Sequence, residues 1–117
     1  MDVRSSSESA VLRTAFIRAG EALGLDEIQL SAVLGEQVLL LRQGHELLQT
    51  GSKARSRVLL LIQLHQSLLA VVGDEGKARN WLDSPNSGLS GRPRDLIKFR
   101  TGLEEVVQYL YANRALI

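Results

Sequence analysis

The sequence predicts an all-α fold, and three observations support this prediction. Leucine accounts for 22 of the 117 residues, while the aromatic fraction is 4% and the chain has two prolines. Strong helix formers fill most positions. Apolar residues nowhere alternate with polar ones over a sustained stretch, as they would in a half-buried strand. We therefore expect helices around a leucine-rich core, in one small domain or two tightly packed units.

The first part of the chain predicts three short helices. The first covers about residues 9–23. The second begins at Asp26, whose side chain can cap the helix. The Gln29 side chain, three residues later, can bond back to the Asp26 N–H, as in a capping box. The third covers about residues 37–48. Short helices joined by glycine-containing turns are typical of a helix-turn-helix.

A polar hinge at residues 49–57 is expected to follow this unit, and the net charge changes there. Residues 1–51 carry 4 basic and 7 acidic side chains, or −3, whereas residues 52–117 carry 10 basic and 6 acidic ones, or +4. We therefore divide the chain into a helix-turn-helix-like or dimerisation region, residues 1–51, and a second helical domain, residues 52–117.

The second domain is expected to contain further helices. One over residues 57–72 is apolar on nearly every face, which is typical of a central helix or one shared with a second chain. Asp74 caps a short helix on which Trp81 is expected to anchor the core. Thr101 and Glu104 predict a second capping box, at the start of the terminal helix. The terminal helix has an apolar stripe at helical spacing, which faces the core, a partner or a second copy. The stripe consists of Leu103, Val106, Val107, Leu110 and Tyr111.

Composition excludes several classes of protein. The absence of cysteine excludes disulfides, thiolate zinc sites and cysteine nucleophiles. No unbroken apolar run exceeds five residues, whereas a membrane helix needs roughly 20. The N-terminal segment lacks the apolar stretch of a signal peptide, so a soluble cytoplasmic protein is expected.

The sequence gives little support to an enzyme. His45 and His65 are far apart in the chain and have no partners at metal-ligand spacing. Glu104 and Glu105 are adjacent, and adjacent helical side chains point about 100° apart, so the two carboxylates do not converge. We therefore expect no catalytic residue, metal or cofactor.

Nucleic-acid binding is left open by the residues alone. A DNA-reading helix needs polar or basic side chains for base edges and basic flanks for phosphates. The third helix offers Gln37, Arg42 and Gln43, and the hinge offers Lys53 and Arg55. The middle of that helix is Val-Leu-Leu-Leu, which suits a core, and its region is acidic. A DNA-binding unit and a structural three-helix unit are both compatible with this pattern.

The C-terminal residues include types that are enriched at binding hot spots. A frayed chain end and a partner-binding end both fit them. The turns around Asn86 and Arg92 likewise fit either turn chemistry or the rim of a binding surface. The terminal candidates are Tyr109, Tyr111, Asn113, Arg114 and the carboxylate of Ile117.

The second half also resembles a known family. The resemblance rests on Gly-Asp-Glu-Gly-Lys-Ala-Arg-Asn-Trp-Leu at residues 73–82, Ser-Pro-Asn at 84–86, Gly-Arg-Pro-Arg-Asp-Leu-Ile at 91–97 and Val-Val-Gln-Tyr-Leu at 106–110. Over about residues 57–117 the chain resembles the toxin-binding domain of Xre/MbcA/ParS antitoxins.

This resemblance implies the antitoxin of a type II toxin–antitoxin pair, whose usual partner is a RES-domain toxin that consumes NAD. It implies a homodimer that binds the toxin with its C-terminal domain and lays its C-terminal end over the toxin's active site. The rim and terminal residues named above would then contact the toxin. Many such antitoxins repress their own operon through an N-terminal Xre-like helix-turn-helix, so operator DNA is a further expected partner. The alternative is a DNA-binding repressor without a toxin partner.

Overall fold

A computed structural model describes residues 3–114, with side chains from residue 7 onward, and confirms the all-α prediction. The described residues form helices joined by turns and loops, without a strand. The helices are α1 (Val3–Ala22), α2 (Glu27–Leu34), α3 (Val38–Arg42), α4 (Lys53–Val72), α5 (Glu75–Asp83), α6 (Pro93–Leu96) and α7 (Arg100–Ala112).

Helix α4 is the centre of the fold. It packs against α1, α2, α5 and α7. Its residues Val58, Leu61, Leu64 and Leu68 are fully buried, which explains why the sequence of this helix is apolar on several faces. The prediction of a central helix is therefore confirmed.

A single hydrophobic cluster joins the first helix to the last. Phe16 and Leu23 of α1 belong to the same cluster as Leu103, Val106 and the other buried residues of α7. The apolar stripe of α7 thus faces the core, and its last member alone, Tyr111, is exposed. The division of the chain after residue 51 stays a prediction.

Two predicted helix starts are confirmed in atomic detail. The Asp26 carboxylate accepts a hydrogen bond from the Gln29 N–H at 2.7 Å, and the Gln29 side-chain oxygen accepts one from the Asp26 N–H at 2.9 Å. The Asp74 carboxylate accepts a bond from the Lys77 N–H at 2.8 Å. At the other end of α2, Gly35 adopts a φ of +79°, a conformation that other residues rarely adopt.

The third helix is shorter than predicted, and the connection after it lies earlier in the chain, at residues 43–52. Helix α3 ends at Arg42, and Gly44 follows with a φ of +86°. Leu48 is still buried, but on a segment without regular structure. Helix α4 begins within the predicted hinge, at Lys53, because the Ser52 side-chain oxygen accepts a hydrogen bond from the Arg55 N–H at 3.1 Å.

The predicted capping box at Thr101 is wrong. Helix α7 begins at Arg100, and Phe99 occupies the N-cap position without a side-chain hydrogen bond. The carboxylate of Glu104 accepts a hydrogen bond from the Arg100 guanidinium at 3.1 Å instead. The four-residue spacing of this ion pair favours it over the reach back to the helix start.

Within the described residues, no single helix has both the length and the apolarity to span a membrane. Helices α4 and α5 meet that criterion only as a pair, bent by 110°.

Candidate functional site

The loop at residues 84–92, between α5 and α6, is held at its base by a buried cation. Arg94 is 8% exposed and forms an ion pair with Asp83, so the two ends of the loop are joined. The same guanidinium donates hydrogen bonds to the carbonyl oxygens of Leu23 at 3.1 Å and Gly24 at 3.3 Å. Charge-assisted bonds of this kind are strong and directional. The loop is therefore fixed both to itself and to the end of α1.

Further contacts fix the middle of this loop. The Ser90 hydroxyl donates to the Glu105 carboxylate of α7 at 2.9 Å. The Asn86 side-chain oxygen accepts a bond from the Gly88 N–H at 2.8 Å, which makes a local turn. A Cβ added at Gly88 would lie 2.6 Å from the Tyr109 ring, so glycine permits the close approach of loop and ring.

Trp81 and Tyr109 form an aromatic pair beside the loop. Their ring centroids are 6.3 Å apart and the ring planes differ by 27°. Both side chains are half-buried. Trp81 therefore packs at the edge of the core, whereas the sequence had led us to expect that it anchors the core. Aromatic rings with one polar atom suit a surface that is partly apolar and partly wet.

Arg92 is oriented by a neighbouring carboxylate. Two of its nitrogens donate to the two oxygens of Asp95, both at 3.1 Å, and Lys98 lies 3.6 Å from the same carboxylate. The hydrogen bond from Arg92 is the main reason why the pKa of Asp95 is lowered, and partial desolvation opposes it. The same bond raises the pKa of Arg92. Both groups are therefore charged at neutral pH, and the guanidinium is held in one plane.

The end of α7 presents two of the predicted terminal residues to solvent. Tyr111 is 66% exposed, and the Arg114 guanidinium lies 4.9 Å from the centre of its ring. Arg114 also donates to the Tyr111 carbonyl oxygen at 2.8 Å, whereas Asn113 donates to that of Tyr109 at 3.0 Å. Ile117 lies outside the described residues.

The structure separates the predicted toxin-binding residues from the predicted DNA-binding residues. The loop residues Asn86 and Arg92, with Tyr109 of α7, lie in or against one surface, which we call the loop–aromatic surface: residues 84–92, Trp81 and Tyr109. Tyr111, Asn113 and Arg114 continue from it along the end of α7. The pairing of Trp81 with Tyr109 has no signal in the sequence, because the two residues are distant in the chain.

The predicted DNA-binding residues lie elsewhere, around α3 and the start of α4. Helix α3 has five residues and is therefore about 7.5 Å long. Gln37 and Gln43 are exposed at its two ends, and Arg42 forms an ion pair with Glu27. Val38 and Leu41 face the core.

At the start of α4, Lys53 and Arg55 differ in solvent exposure and in their interactions. Lys53 is exposed. Arg55 donates to the Leu48 carbonyl oxygen at 3.0 Å and lies 3.6 Å from the Glu8 carboxylate, with its side chain 18% exposed. Contact of these residues with DNA stays a prediction.

The part of the chain that the structure describes holds no group of three or more His, Asp or Glu side chains able to bind a metal ion. His45 is exposed, and His65 is half-buried on α4 with an Nε2 atom that makes no hydrogen bond there.

A family model matches the part of the chain that contains the loop–aromatic surface. No curated protein matches the chain significantly. Residues 67–115, which include the loop–aromatic surface and the end of α7, match the family model of the antitoxin Xre/MbcA/ParS C-terminal toxin-binding domain. This part of the chain is therefore similar to the toxin-binding domain of an antitoxin, which supports an antitoxin role with a toxin as partner.

Proposed function

We propose that this chain is an antitoxin that neutralises a RES-type, NAD-consuming toxin by binding it and covering its active site. The match of residues 67–115 to an antitoxin toxin-binding domain carries the proposal. The resemblance of the second half to Xre/MbcA/ParS antitoxins adds the RES type of the toxin and the covering of its active site.

The loop–aromatic surface is the proposed first contact with the toxin. Its loop is already fixed by Arg94 and Glu105, so little conformational entropy is lost when a partner binds. Tyrosine, tryptophan and arginine dominate binding hot spots, and this surface carries Trp81, Tyr109 and Arg92. Asn86 contributes a rim amide whose orientation is set by its own turn.

The end of α7 is the proposed covering segment. Buried Leu103, Val106 and Leu110 fix the helix to the core, and exposed Tyr111 follows directly. Beyond it, Asn113 and Arg114 add an amide and a positive charge. Such groups pair with the polar side chains that otherwise bind a phosphate-bearing dinucleotide. The antitoxin then acts by excluding the substrate and performs no chemistry.

A homodimer and the repression of its own operon complete the proposal, both from the resemblance. Light scattering of the purified chain tests the first. A gel-shift assay on the upstream DNA at increasing salt tests the second, because binding to phosphates weakens steeply with salt.

Co-expression with the neighbouring reading frame tests the main proposal. We expect the full chain to restore growth, to co-purify with the toxin and to prevent NAD loss. Deletion of residues 112–117 should retain the complex but allow NAD loss to resume. NAD protection that is unchanged by the deletion would contradict the covering mechanism, and failure to form any complex would contradict the antitoxin role.

A matched pair of variants tests the contact surface. Arg92→Ala and Lys98→Ala each remove one cationic partner of Asp95. We expect Arg92→Ala to weaken toxin binding by about tenfold or more, as for a hot-spot arginine, and Lys98→Ala to leave it nearly unchanged. Equal effects of the two variants would show that the loop arginine makes no specific contact.

A further inference from the structure

We propose that two copies of this chain associate through two different surfaces, so that each copy docks one surface on the other surface of its partner. The first is the outer face of α2 and α3, residues 26–43, which we call the acidic hairpin. The second, which we call the basic groove, lies beside the start of α4 and is lined by Gly51, Ser52, Lys53, Arg55, Ser56, Leu59 and Arg100. The inference rests on the homodimer of the proposed function, whose contacts it names, and it does not involve the toxin.

The acidic hairpin exposes two large aliphatic side chains. The first residue of α2 forms an ion pair with the last residue of α3, and the Val38 N–H donates to the Ser31 hydroxyl oxygen at 3.0 Å. The two helices are therefore antiparallel neighbours. Ile28 and Leu39 lie between these two contacts, on the side away from the core, and are 82% and 54% exposed. Neighbouring exposed apolar side chains, unlike scattered single ones, indicate an interaction surface.

The charge of the acidic hairpin favours a basic protein over DNA as its partner. Its charged side chains are Asp26, Glu27, Glu36 and Arg42, a net charge of −2. Glu36 is exposed and forms no ion pair with another described residue. Carboxylates repel DNA phosphates, and aliphatic side chains make no hydrogen bonds to base edges. The face therefore fits a protein surface on which cations surround an apolar side chain.

The basic groove has this complementary chemistry. Three cations, Lys53, Arg55 and Arg100, are among the described residues that line it, and no acidic residue is. Arg55 and Arg100 each have a carboxylate partner on the same chain, whereas Lys53 is exposed and forms no ion pair with a described residue. Leu59, in the same groove, is 46% exposed. The groove thus presents a free ammonium group beside an exposed leucine.

A second copy of the chain is the occupant that the charges favour. Residues 1–51 carry a net charge of −3 and residues 52–117 one of +4, so unlike halves of two copies attract each other and like halves repel. The two surfaces are also close together. The Arg57 side chain of α4 lies directly against Gly35 of the hairpin, and its neighbour Ser56 lines the groove. One two-fold axis can therefore place each hairpin in the groove of the other copy, which closes the dimer.

Size-exclusion chromatography with light scattering tests the proposal on the full chain without toxin, and we expect a dimer. Glu36→Lys and Lys53→Glu each place like charges opposite each other, so each should raise the dissociation constant of the dimer by about tenfold or more. An equimolar mixture of the two variants should restore the dimer, because each contact then pairs a lysine with a glutamate.

Ile28→Ser and Val11→Ser form a matched pair for the apolar contact. Val11 is 66% exposed on α1, outside both surfaces. We expect Ile28→Ser to weaken the dimer by about tenfold, since it removes most of the apolar area that the contact buries, and Val11→Ser to leave the dimer unchanged.

Three results would overturn the proposal: a chain that stays monomeric, a dimer that the charge reversals and Ile28→Ser leave unchanged, and a mixture of variants that fails to restore the dimer. Weaker binding of DNA or toxin by Ile28→Ser, with the dimer intact, would also overturn it and assign the hairpin to that partner. Rescue of growth by co-expression is measured separately, so failure of the dimer contacts is distinguished from failure of the antitoxin role.

Discussion

Two loops of similar length, residues 43–52 and residues 84–92, are held in opposite ways. The first is held through its backbone, since the Leu47 carbonyl oxygen accepts a bond from Ser52 of the same loop and that of Leu48 accepts bonds from Ser9 and Arg55. The second is held by side chains around it, chiefly by Arg94 at its base and Glu105 at its middle. The first loop therefore buries its own apolar side chains and leaves peptide N–H groups open. The second leaves side chains on the surface in a fixed arrangement, which suits the recognition of a protein.

The largest loss of stability is expected from a substitution at the base of the second loop. Arg94→Ala removes the ion pair with Asp83 and leaves two carbonyl oxygens without their donor. We expect a loss of about 2–3 kcal/mol in the free energy of unfolding, measured with urea. Arg79→Ala, which removes an exposed arginine bound to the Ala22 carbonyl oxygen, is the control and should cost less than about 1 kcal/mol. Equal losses would mean that Arg94 adds nothing beyond a surface contact.

A smaller effect is expected at the end of the first loop. Arg55→Ala removes the bond to the Leu48 carbonyl oxygen and the contact with Glu8, and should lower the free energy of unfolding by about 1–2 kcal/mol. Lys53→Ala, at an exposed position two residues earlier, should leave stability unchanged within about 0.5 kcal/mol. A gel-shift assay with the same two variants separates the two roles. If Lys53 contacts a DNA phosphate, Lys53→Ala weakens DNA binding without destabilising the fold.

Helix capping gives a third comparison. Ser52→Ala removes the N-cap of α4 and should cost about 1 kcal/mol. Thr101→Ala falls at the predicted cap that α7 does not use, so no comparable loss is expected. Thermal unfolding of both variants decides the matter, and a substantial loss for Thr101→Ala would show that its side chain caps the helix after all.

The smallest effect is expected from the pH dependence at Arg92 and Asp95. Because the pKa of Asp95 is lower in the folded chain than in the unfolded one, the pair stabilises the fold above the ordinary carboxyl pKa of about 4. This contribution is lost as the pH falls through the lowered pKa. Asp95→Asn should therefore reduce the pH dependence of the free energy of unfolding at acidic pH, measured with urea between about pH 5 and 2. An unchanged pH profile in Asp95→Asn would contradict the pairing.

Local signals predicted much of the fold because their partners are close in the sequence. Asp26 and Gln29 cap one helix from three residues apart, and Asp74 caps another over the same distance. The central position of α4 could also be predicted, since apolar residues on several faces of a helix indicate contacts on several sides.

Other features depend on contacts that the sequence does not reveal. The leucines after Arg42 predict helix, yet Leu48 reaches the core from an irregular segment, because burial alone does not require a helix. The candidate site was predicted only as single residues. Its geometry depends on Arg94 and on the pairing of Trp81 with Tyr109, all of which form between distant parts of the chain.

The end of α1 has a consequence for any attempt to recombine this protein with others. Arg79 and Arg94, both inside the matched segment, donate to carbonyl oxygens at the end of α1 and just beyond it, outside that segment. A chimera that joins this segment to a foreign N-terminal region must therefore supply acceptors in the same places. Without them, Arg94 and Arg79 would keep only their carboxylate partners, Asp83 and Glu75, and the base of the loop would lose its connection to the end of α1.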